Sequence, residues 1–581
     1  MARSARLASS AAPISRDPLP DLTRLSFEFH RGLEPPFVFF RREWKAVALF
    51  GGMFCLLMAA AVFWLDPAFF YPRLQTDPLL YFLKAKSFVE TGSTSARLAV
   101  NLPPFAYAAM PGVLRAPLLL VFSDFDNQWR GMQLLNIPIL ASVALMSAYI
   151  FSWTLPARWH WMAIAFAFGF TALSPIWIAN VFSPLADAPY AAASLMAVLL
   201  SAHVLSDSAS IRDRRGSIAF YCVLFVLAFF LRFTGPVLLV FAATLARGRW
   251  KGREFSRWAK RGMIIGPIAV VAVLVGLNVQ AIFGRYMHEP LSFVAFGDKM
   301  GMLLNLFGLA IPDQIIPDFH LGFSEPPIVD TFFAQFALSR ADALWTTFGI
   351  AISAITVYGM WRSRTRFLPE ILYVLAPLTV LALMMPSTSR YLMSYQPFFW
   401  VFFYEGGRAV VGKLSLSGYA PPRMRVVAFA SAVAVVMAAA WLRWSRVAGT
   451  GIQRSYAVSM GQAPEYVSEV STTFRSLRGF VETLPPDKTL LIGWSGAVGR
   501  WTAISDRKYY QPDSALLLVA AQKEVYLIVE CGTLEYCQAF GEWKNRMQEH
   551  LCKFGEFSYD SVFAVKSKWA RAEVFRVRPA A

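Results

Sequence analysis

Three side chains that could act together on a substrate are spaced along one short segment of the chain. Asp77 is followed by Pro78, and Tyr81 and Lys84 come four and seven residues after Asp77. If this segment is a helix, positions i, i+4 and i+7 lie on one face. A carboxylate, a phenol and an ammonium would then point the same way. Such a set can take a proton from an attacking hydroxyl and bind an anion.

The same kinds of residue also have a purely structural interpretation. Aspartate before proline is a common helix start, with the carboxylate as N-cap and the proline at the first helical position. Asp187 likewise opens an apolar run, where a carboxylate stabilises the positive end of the helix dipole. Arg390, near the end of another apolar run, could extend to the membrane surface or bind an anion. For each of these residues both interpretations are open at this point.

The composition predicts the kind of element that must position these side chains. The chain has 581 residues, of which 56% are hydrophobic and only 16% are charged, whereas soluble proteins carry about 25% charged residues. The apolar surplus lies in uncharged runs near the roughly 20 residues that cross a bilayer. The net charge of +18 is concentrated in short basic loops between these runs. That distribution is typical of cytoplasmic loops and argues against nucleic acid as a partner.

We therefore predict an α-helical polytopic membrane protein with about eleven transmembrane helices and a C-terminal soluble α/β domain. The predicted spans lie near 46–65, 128–153, 160–180, 184–205, 217–231, 236–247, 263–282, 342–361, 368–386, 391–410 and 425–444. An odd number of spans places the two chain ends on opposite sides of the membrane. With the N-terminus inside, every basic loop falls on the cytoplasmic side.

This topology divides the chain into three parts. Residues 1–45 are a cytoplasmic tail, 46–444 form the transmembrane domain, and 445–581 form a domain outside. Within the transmembrane domain, the two long outside loops cover 66–127 and 283–341. We expect the protein in a bacterial inner membrane, with its C-terminal domain in the periplasm.

The last domain reads as alternating helices and strands. Residues 464–484 have helical spacing before Pro485 and Pro486, which end the helix. Apolar runs at 488–494 and 524–530 predict strands, and 533–551 predicts a second helix. We therefore predict a small α/β domain here, and its composition differs from that of the preceding transmembrane domain.

The cysteines of this domain can pair in only one way if that second helix is unbroken. Cys537 and Cys552 would then be about 22 Å apart, at 1.5 Å per residue. A disulfide needs Cα atoms within about 7 Å. We therefore predict either a bond between Cys531 and Cys537 or no bond, with Cys552 free in both cases.

Several motifs, taken in order after the first span, carry a family resemblance. They are Asp77-x-x-x-Tyr81 with Ala85 and Gly92, Pro103-Pro104-x-x-Tyr107, Ser183-Pro184-x-x-Asp187, Leu231-Arg232-x-x-Gly235, and Ser389-Arg390-Tyr391. This order resembles the GT-C superfamily, polytopic glycosyltransferases that use lipid-phosphate sugars, such as aminoarabinose transferases and protein O-mannosyltransferases. The resemblance covers roughly residues 46–411. Where some relatives have an Asp-Asp or Asp-Glu pair, this chain has the single Asp77.

The resemblance implies an activity and a set of site residues. It implies that Asp77 is the catalytic base and that transfer inverts the anomeric carbon of a polyprenyl-phosphate sugar. The implied substrate-binding residues are Tyr81, Lys84, Tyr107, Asp187, Arg232, Arg390 and Tyr391. The implied partners are the lipid-linked donor, membrane lipid, and a glycan, lipid or protein acceptor. The sequence has no metal-ligand constellation, so we expect no metal and no cofactor beyond the lipid-linked donor.

Two other functions compete with this one. A transporter or flippase for a lipid-linked sugar would need ionisable residues deep in several spans, or an internal repeat. No repeat is visible, and Glu370 and Glu405 both fall near the predicted cytoplasmic ends of late spans. A non-catalytic scaffold with an outside binding domain would keep working without Asp77.

Overall fold

The structure is a computed structural model of the chain. It describes residues 21–64, 76–93, 110–182, 185–206, 215–232, 235–250, 303–304, 306–316, 340–384, 389–414, 463–486, 488–493, 501, 504, 508–510, 513–531, 537 and 540–580. Predictions for other residues lie outside these ranges, as do some side chains within the helices.

Most of the described residues are helical. The helices are α1 (Leu22–Arg31), α2 (Pro36–Arg42), α3 (Trp44–Trp64), α4 (Thr76–Thr91), α5 (Met110–Val113), α6 (Ala116–Val121), α7 (Phe125–Ser152), α8 (His160–Leu173), α9 (Pro175–Phe182), α10 (Asp187–Ser206), α11 (Arg215–Leu231), α12 (Leu238–Trp250), α13 (Ile311–Asp313), α14 (Arg340–Ser363), α15 (Leu368–Met384), α16 (Gln396–Leu414), α17 (Ala463–Thr483), α18 (Leu516–Gln522) and α19 (Phe540–Cys552). Short 3-10 turns cover Ala157–Trp159, Gly235–Val237 and Ser389–Tyr395, and π turns cover Val47–Gly51 within α3 and Leu306–Ala310 before α13.

Among the described helices, α3, α7 and α10 are long and apolar enough to cross a membrane. Shorter apolar helices cover Met110–Val121, Gly216–Leu231, Leu238–Gly248 and Leu368–Thr379. The mostly helical architecture agrees with the prediction. The count of about eleven spans stays a prediction, because the expected spans at 263–282 and 425–444 lie outside the described residues.

Two expected spans differ in detail from the structure. The span expected at 160–180 is divided, because Ser174 is extended and Pro175 starts a new helix. Proline has no N–H to continue the preceding helix. The span expected at 391–410 begins as a helix only at Gln396, since Ser389–Tyr395 forms a 3-10 turn.

Glycines set how closely α14 and α16 pack. A Cβ at Gly359 would overlap the carbonyl oxygen of Phe402, and a Cβ at Gly406 would overlap that of Ile355. Small residues let the backbones of two membrane helices come together. Here the approach is close enough that only glycine fits at both positions.

The C-terminal domain contains a five-stranded sheet. The strands are β1 (Thr489–Gly493), β2 (Lys508–Tyr509), β3 (Glu524–Cys531), β4 (Phe557–Lys566) and β5 (Arg571–Pro579), in the order β2-β1-β3-β5-β4. β1 runs parallel to both of its neighbours, and β5 runs antiparallel to β3 and β4. Both predicted strands, β1 and β3, are present and central. A C-terminal domain that combines helices with a sheet is therefore confirmed.

The cysteines of this domain adopt one of the two predicted arrangements. Cys531 and Cys537 are bonded, with Cα atoms 5.3 Å apart, and Cys552 is exposed and free. Of the helix expected over 533–551, the structure describes Phe540–Cys552, and residues 532–536, 538 and 539 lie outside the described ranges.

Candidate active site

Helix α4 carries the first group of predicted site residues. Asp77 lies in its first turn, and the side chain of Asp77 is outside the described part. One and two turns further on, Tyr81 is 7% exposed and Lys84 is 2% exposed. The helical spacing that places all three residues on one face is therefore present, and at Tyr81 and Lys84 this face is turned inward.

This face of α4 packs tightly against α5. A Cβ on Gly112 would lie 2.9 Å from the Cβ of Lys84 and 2.9 Å from the carbonyl oxygen of Tyr81. Real Cβ atoms do not come this close to other heavy atoms, so a larger residue at position 112 would push the helices apart. Gly112 thus fixes where the Lys84 side chain starts.

Burial changes the acid–base behaviour of Lys84. Removal from water disfavours the ammonium form and lowers the pKa of Lys84 from 10.5 to about 8. The side chain still carries a positive charge at neutral pH, although less firmly than a surface lysine. A charged ammonium at a buried position can bind an anionic group with little competition from solvent.

Arg115 connects helix α5 to the segment that leads into α10. Its side chain is 1% exposed, and its guanidinium donates to the carbonyl oxygens of Pro111 and Leu185, each at 2.8 Å. Burial lowers the pKa of Arg115 to about 10, and nearby Tyr81 has the opposite, smaller effect. Arg115 therefore lies between the buried face of α4 and the segment that leads into Asp187.

Two buried asparagine side chains, Asn136 and Asn180, also hydrogen-bond around the segment that leads into α10. The side chain of Asn136 donates to the carbonyl oxygen of Asn180 at 2.7 Å and accepts from Arg115 at 3.3 Å. The side-chain oxygen of Asn180 in turn accepts from the N–H of Ala188 at 3.2 Å, in the first turn of α10. These bonds satisfy backbone groups that the helix start would otherwise leave unpaired. They also fix the position of Asp187 at that start.

Three residues predicted from separate motifs meet at the start of α10. Asp187, 2% exposed, forms an ion pair with Arg232. The guanidinium carbon of Arg232 lies 4.7 Å from the ring centroid of Tyr391 and 5.9 Å from that of Tyr190. A guanidinium within about 6 Å of an aromatic ring is attracted by the ring face. Arg232 is therefore held between a carboxylate and two rings.

The backbone on either side of this contact is equally constrained. Gly235 donates its N–H to the carbonyl oxygen of Arg232 at 3.0 Å, and a Cβ on Gly235 would lie 2.6 Å from the backbone of Phe229. Between α10 and the 3-10 turn before α16, the hydroxyls of Tyr190 and Tyr395 are 3.2 Å apart. Gly235 is thus packed against α11, and the 3-10 turn before α16 contacts α10 through Tyr395 and Tyr190.

The structure brings together five of the eight predicted site residues in two neighbouring groups. Tyr81 and Lys84 form one, and Asp187, Arg232 and Tyr391 form the other. Tyr107 lies outside the described residues, as do the side chains of Asp77 and Arg390. Among the described side chains of this region, Lys84, Arg115 and Arg232 carry positive charge and Asp187 carries negative charge. The region is therefore suited to an anion.

The described residues contain no group of three or more His, Cys, Asp or Glu side chains that could hold a metal ion. The side chain of Asp77 is not among those described. Independence from metal therefore stays an expectation from the sequence.

Sequence reasoning missed Arg115, Asn136 and Asn180. None of the three is among the residues that the sequence motifs single out. A charged or amide side chain inside an apolar run is expensive to bury and needs a partner. A charged or amide side chain inside an apolar run could therefore have been recognised from the sequence as one that needs a partner. The partners themselves could not, because they come from helices far apart in the chain.

Comparisons with known proteins give structural similarities only. No protein-family model matches the sequence, and a search of curated proteins finds no match. The fold is similar to the oligosaccharyltransferase AglB of Archaeoglobus fulgidus in complex with an inhibitory peptide and a dolichol-phosphate. That alignment has 12% identity and a TM-score of 0.44, and it covers 92% of this chain and 74% of that one.

The fold is also similar to ArnT of Cupriavidus metallidurans bound to undecaprenyl phosphate. Here the identity is 13% and the TM-score 0.40, over 89% of this chain and 97% of that one. AglB and ArnT are both GT-C glycosyltransferases, the superfamily that the sequence motifs resemble. Because the TM-scores are low, the residues of the site itself, and not the similarity, support the proposal below.

Proposed function

We propose that this protein is a membrane glycosyltransferase. It moves a sugar from a polyprenyl-phosphate donor to an acceptor at the outer face of a bacterial inner membrane. The observation that carries the proposal is the contact of Arg232 with Asp187 and Tyr391, next to the buried cation Lys84. Cations held in fixed positions at the site stabilise a phosphate as its bond to the sugar breaks.

In the proposed reaction Asp77 acts as the general base. Its carboxylate takes the proton of the acceptor hydroxyl as that oxygen attacks the anomeric carbon. The bond between this carbon and the phosphate oxygen breaks, and the electron pair leaves with the polyprenyl phosphate. Attack from the face opposite the leaving group inverts the anomeric carbon, as in inverting glycosidases, where a carboxylate activates water.

Lys84, Arg232 and Arg390 are the proposed ligands of the phosphate. Lys84 supplies a point charge, and the two arginines can each donate two hydrogen bonds to one phosphate. Tyr81, Tyr107 and Tyr391 are proposed to contact the donor beside these cations. The chemistry requires a base and cations, which the chain supplies, and the proposal includes neither a metal nor a further cofactor.

An ion pair supports the proposed orientation in the membrane. Arg478, in helix α17 of the C-terminal domain, lies 3.2 Å from Asp126 at the start of α7. Helix α7 directly follows the predicted loop that carries Asp77, so this contact supports a C-terminal domain on the same membrane face as the proposed site. With the N-terminus in the cytoplasm, this face is the periplasmic one.

The acids of the late spans do not resemble a proton or ion pathway. Glu370 contacts His30 at 2.6 Å, and Glu405 contacts Arg366 at 2.8 Å. Transporters place ionisable residues near the middle of the bilayer. Both glutamates are instead paired with residues at helix ends, which favours transfer over transport.

Donor binding tests the proposal directly. Lys84→Gln should weaken the binding of undecaprenyl phosphate by about 1.5–3 kcal/mol, the usual size for a hydrogen bond to a charged group. Arg390→Gln should have an effect of the same size. The matched control is Lys86→Gln, which removes the same charge from the same helix at a more exposed position. Unchanged affinity in both site variants, or an equal loss in the control, would remove the proposed phosphate site.

A further inference from the structure

A second charged pocket lies between α14 and α16, at the helix ends farthest from the candidate active site. Its volume is about 370 Å³, and it is lined by Tyr358, Arg362, Arg366, Glu405, Arg408, Ala409 and Gly412. Helix α16 begins at Gln396, beside the 3-10 turn that holds Tyr391. Arg408 lies twelve residues later, about 18 Å along the helix axis. The pocket is therefore separate from the Arg232 contact.

The pocket contains more positive than negative charge. Glu405 is 4% exposed and pairs with Arg366 at 2.8 Å and with Arg408 at 3.2 Å, both through the same oxygen, Oε2. One carboxylate thus faces two guanidinium groups. Arg362 adds a third, and within the part of the chain that the structure describes no ion pair of Arg362 is found. The walls of the pocket therefore carry a net positive charge.

The packing of α14 against α16 shapes this pocket, and not every basic residue at this helix end lines it. Gly359 and Gly406 bring the two helix backbones together next to the lining residues Tyr358 and Glu405. Arg362 and Arg408 line the pocket about one turn further along the two helices. Arg364 lies at the same end and does not line the pocket. Its guanidinium carbon is 4.0 Å from the ring of Trp361, and it donates to the carbonyl oxygen of Trp361 at 2.8 Å.

We propose that this pocket is a second anion site that binds a phosphate group. Arginine guanidinium groups match a phosphate through paired hydrogen bonds, and Glu405 holds two of them in place. The phosphate belongs either to the headgroup of an anionic membrane lipid or to a small phosphorylated molecule in solution. The site lies at the other end of α16 from the proposed donor site, so it does not depend on the proposed transfer reaction.

The experiment compares Arg362→Gln with Arg364→Gln in the purified full-length protein. The two variants lose the same charge at the same helix end, but only the first loses it from the pocket. Both keep the two ion pairs of Glu405, so a lost fold does not explain a difference between them. One probe is phosphatidylglycerol in phosphatidylcholine nanodiscs, with binding counted by native mass spectrometry. The other is inorganic phosphate, measured by calorimetry.

We expect Arg362→Gln to weaken binding of the preferred probe about tenfold, with Arg364→Gln unchanged. Loss of phosphatidylglycerol binding alone identifies a lipid headgroup as the ligand. Loss of phosphate binding alone identifies a soluble ligand. If neither probe binds the unmodified protein, or if both variants lose affinity equally, the pocket is not an anion site.

Discussion

The ion pair of Asp187 and Arg232 offers the sharpest test of how the site is held together. The side chains of Asp187 and Arg232 are 2% and 10% exposed, so solvent screens their charges little. An exposed pair would contribute about 0.2–1 kcal/mol. Removing one partner of a buried pair costs about 3–5 kcal/mol, because the other charge is left buried without compensation. The low exposure places this pair in the second range.

We therefore expect Asp187→Asn and Arg232→Gln each to lower the free energy of unfolding by about 3–5 kcal/mol. The double variant removes both charges and leaves two neutral amides. It should be less destabilised than either single variant, so the coupling energy should be at least about 3 kcal/mol. Contact with the ring of Tyr391 should contribute a smaller amount, about 0.5–2 kcal/mol, which Tyr391→Leu would reveal.

The measurement is unfolding of the purified protein in mixed micelles, titrated with a denaturing detergent and followed by tryptophan fluorescence. A control pair is Arg478 and Asp126, which are more exposed and should show coupling below about 1 kcal/mol. If the losses of Asp187→Asn and Arg232→Gln simply add in the double variant, the two side chains do not act as a buried pair. The description of the site would then be wrong.

Three further predictions concern pH, the disulfide and topology. Burial lowers the pKa of Lys84 to about 8, so donor affinity should fall as the pH rises from 7 to 9. Lys84→Gln should flatten this dependence of affinity on pH. The same slope in the variant as in the unmodified protein would contradict the role of Lys84 in donor binding. Between pH 8 and 10.5 the folded protein binds fewer protons at Lys84 than the unfolded chain, so this residue makes stability rise with pH in that window. Cys531→Ser should lower the stability of the C-terminal domain by about 2–3 kcal/mol, measured against a Cys552→Ser control that should change nothing. Protease added outside spheroplasts should trim the chain after Ser445, and protection of that domain beside a cleaved periplasmic marker would reverse the topology.

Several elements were predictable because their signal is local. Runs of apolar residues predicted α3, α7 and α10 closely, since a membrane helix needs only length and hydrophobicity. The buried strands β1 and β3 were predictable for a related reason, because a central strand reads as a short continuous apolar run. β4 and β5 escaped this reasoning. β4 is an edge strand with many exposed positions, and its pattern is that of polar surface.

The site required contacts that no local pattern contains. Asp187, Arg232 and Tyr391 were each singled out by a motif resemblance, but nothing in the sequence showed that one guanidinium contacts the other two side chains. Arg115 was missed because its partners, Pro111 and Leu185, offer backbone oxygens that any residue type would supply. Tertiary structure decides such bonds, and a single sequence does not reveal them.

Transfer of a labelled sugar tests the central claim most directly. Membranes that contain the protein are incubated with a panel of polyprenyl-phosphate sugars, each radiolabelled in the sugar, and label is followed from the lipid to a non-lipid or lipid acceptor. We expect transfer with the unmodified protein, and a loss of about 10²–10⁴-fold with Asp77→Asn, while this variant still inserts and binds undecaprenyl phosphate. Equal transfer by Asp77→Asn, or no transfer from any donor by the unmodified protein, would contradict the account.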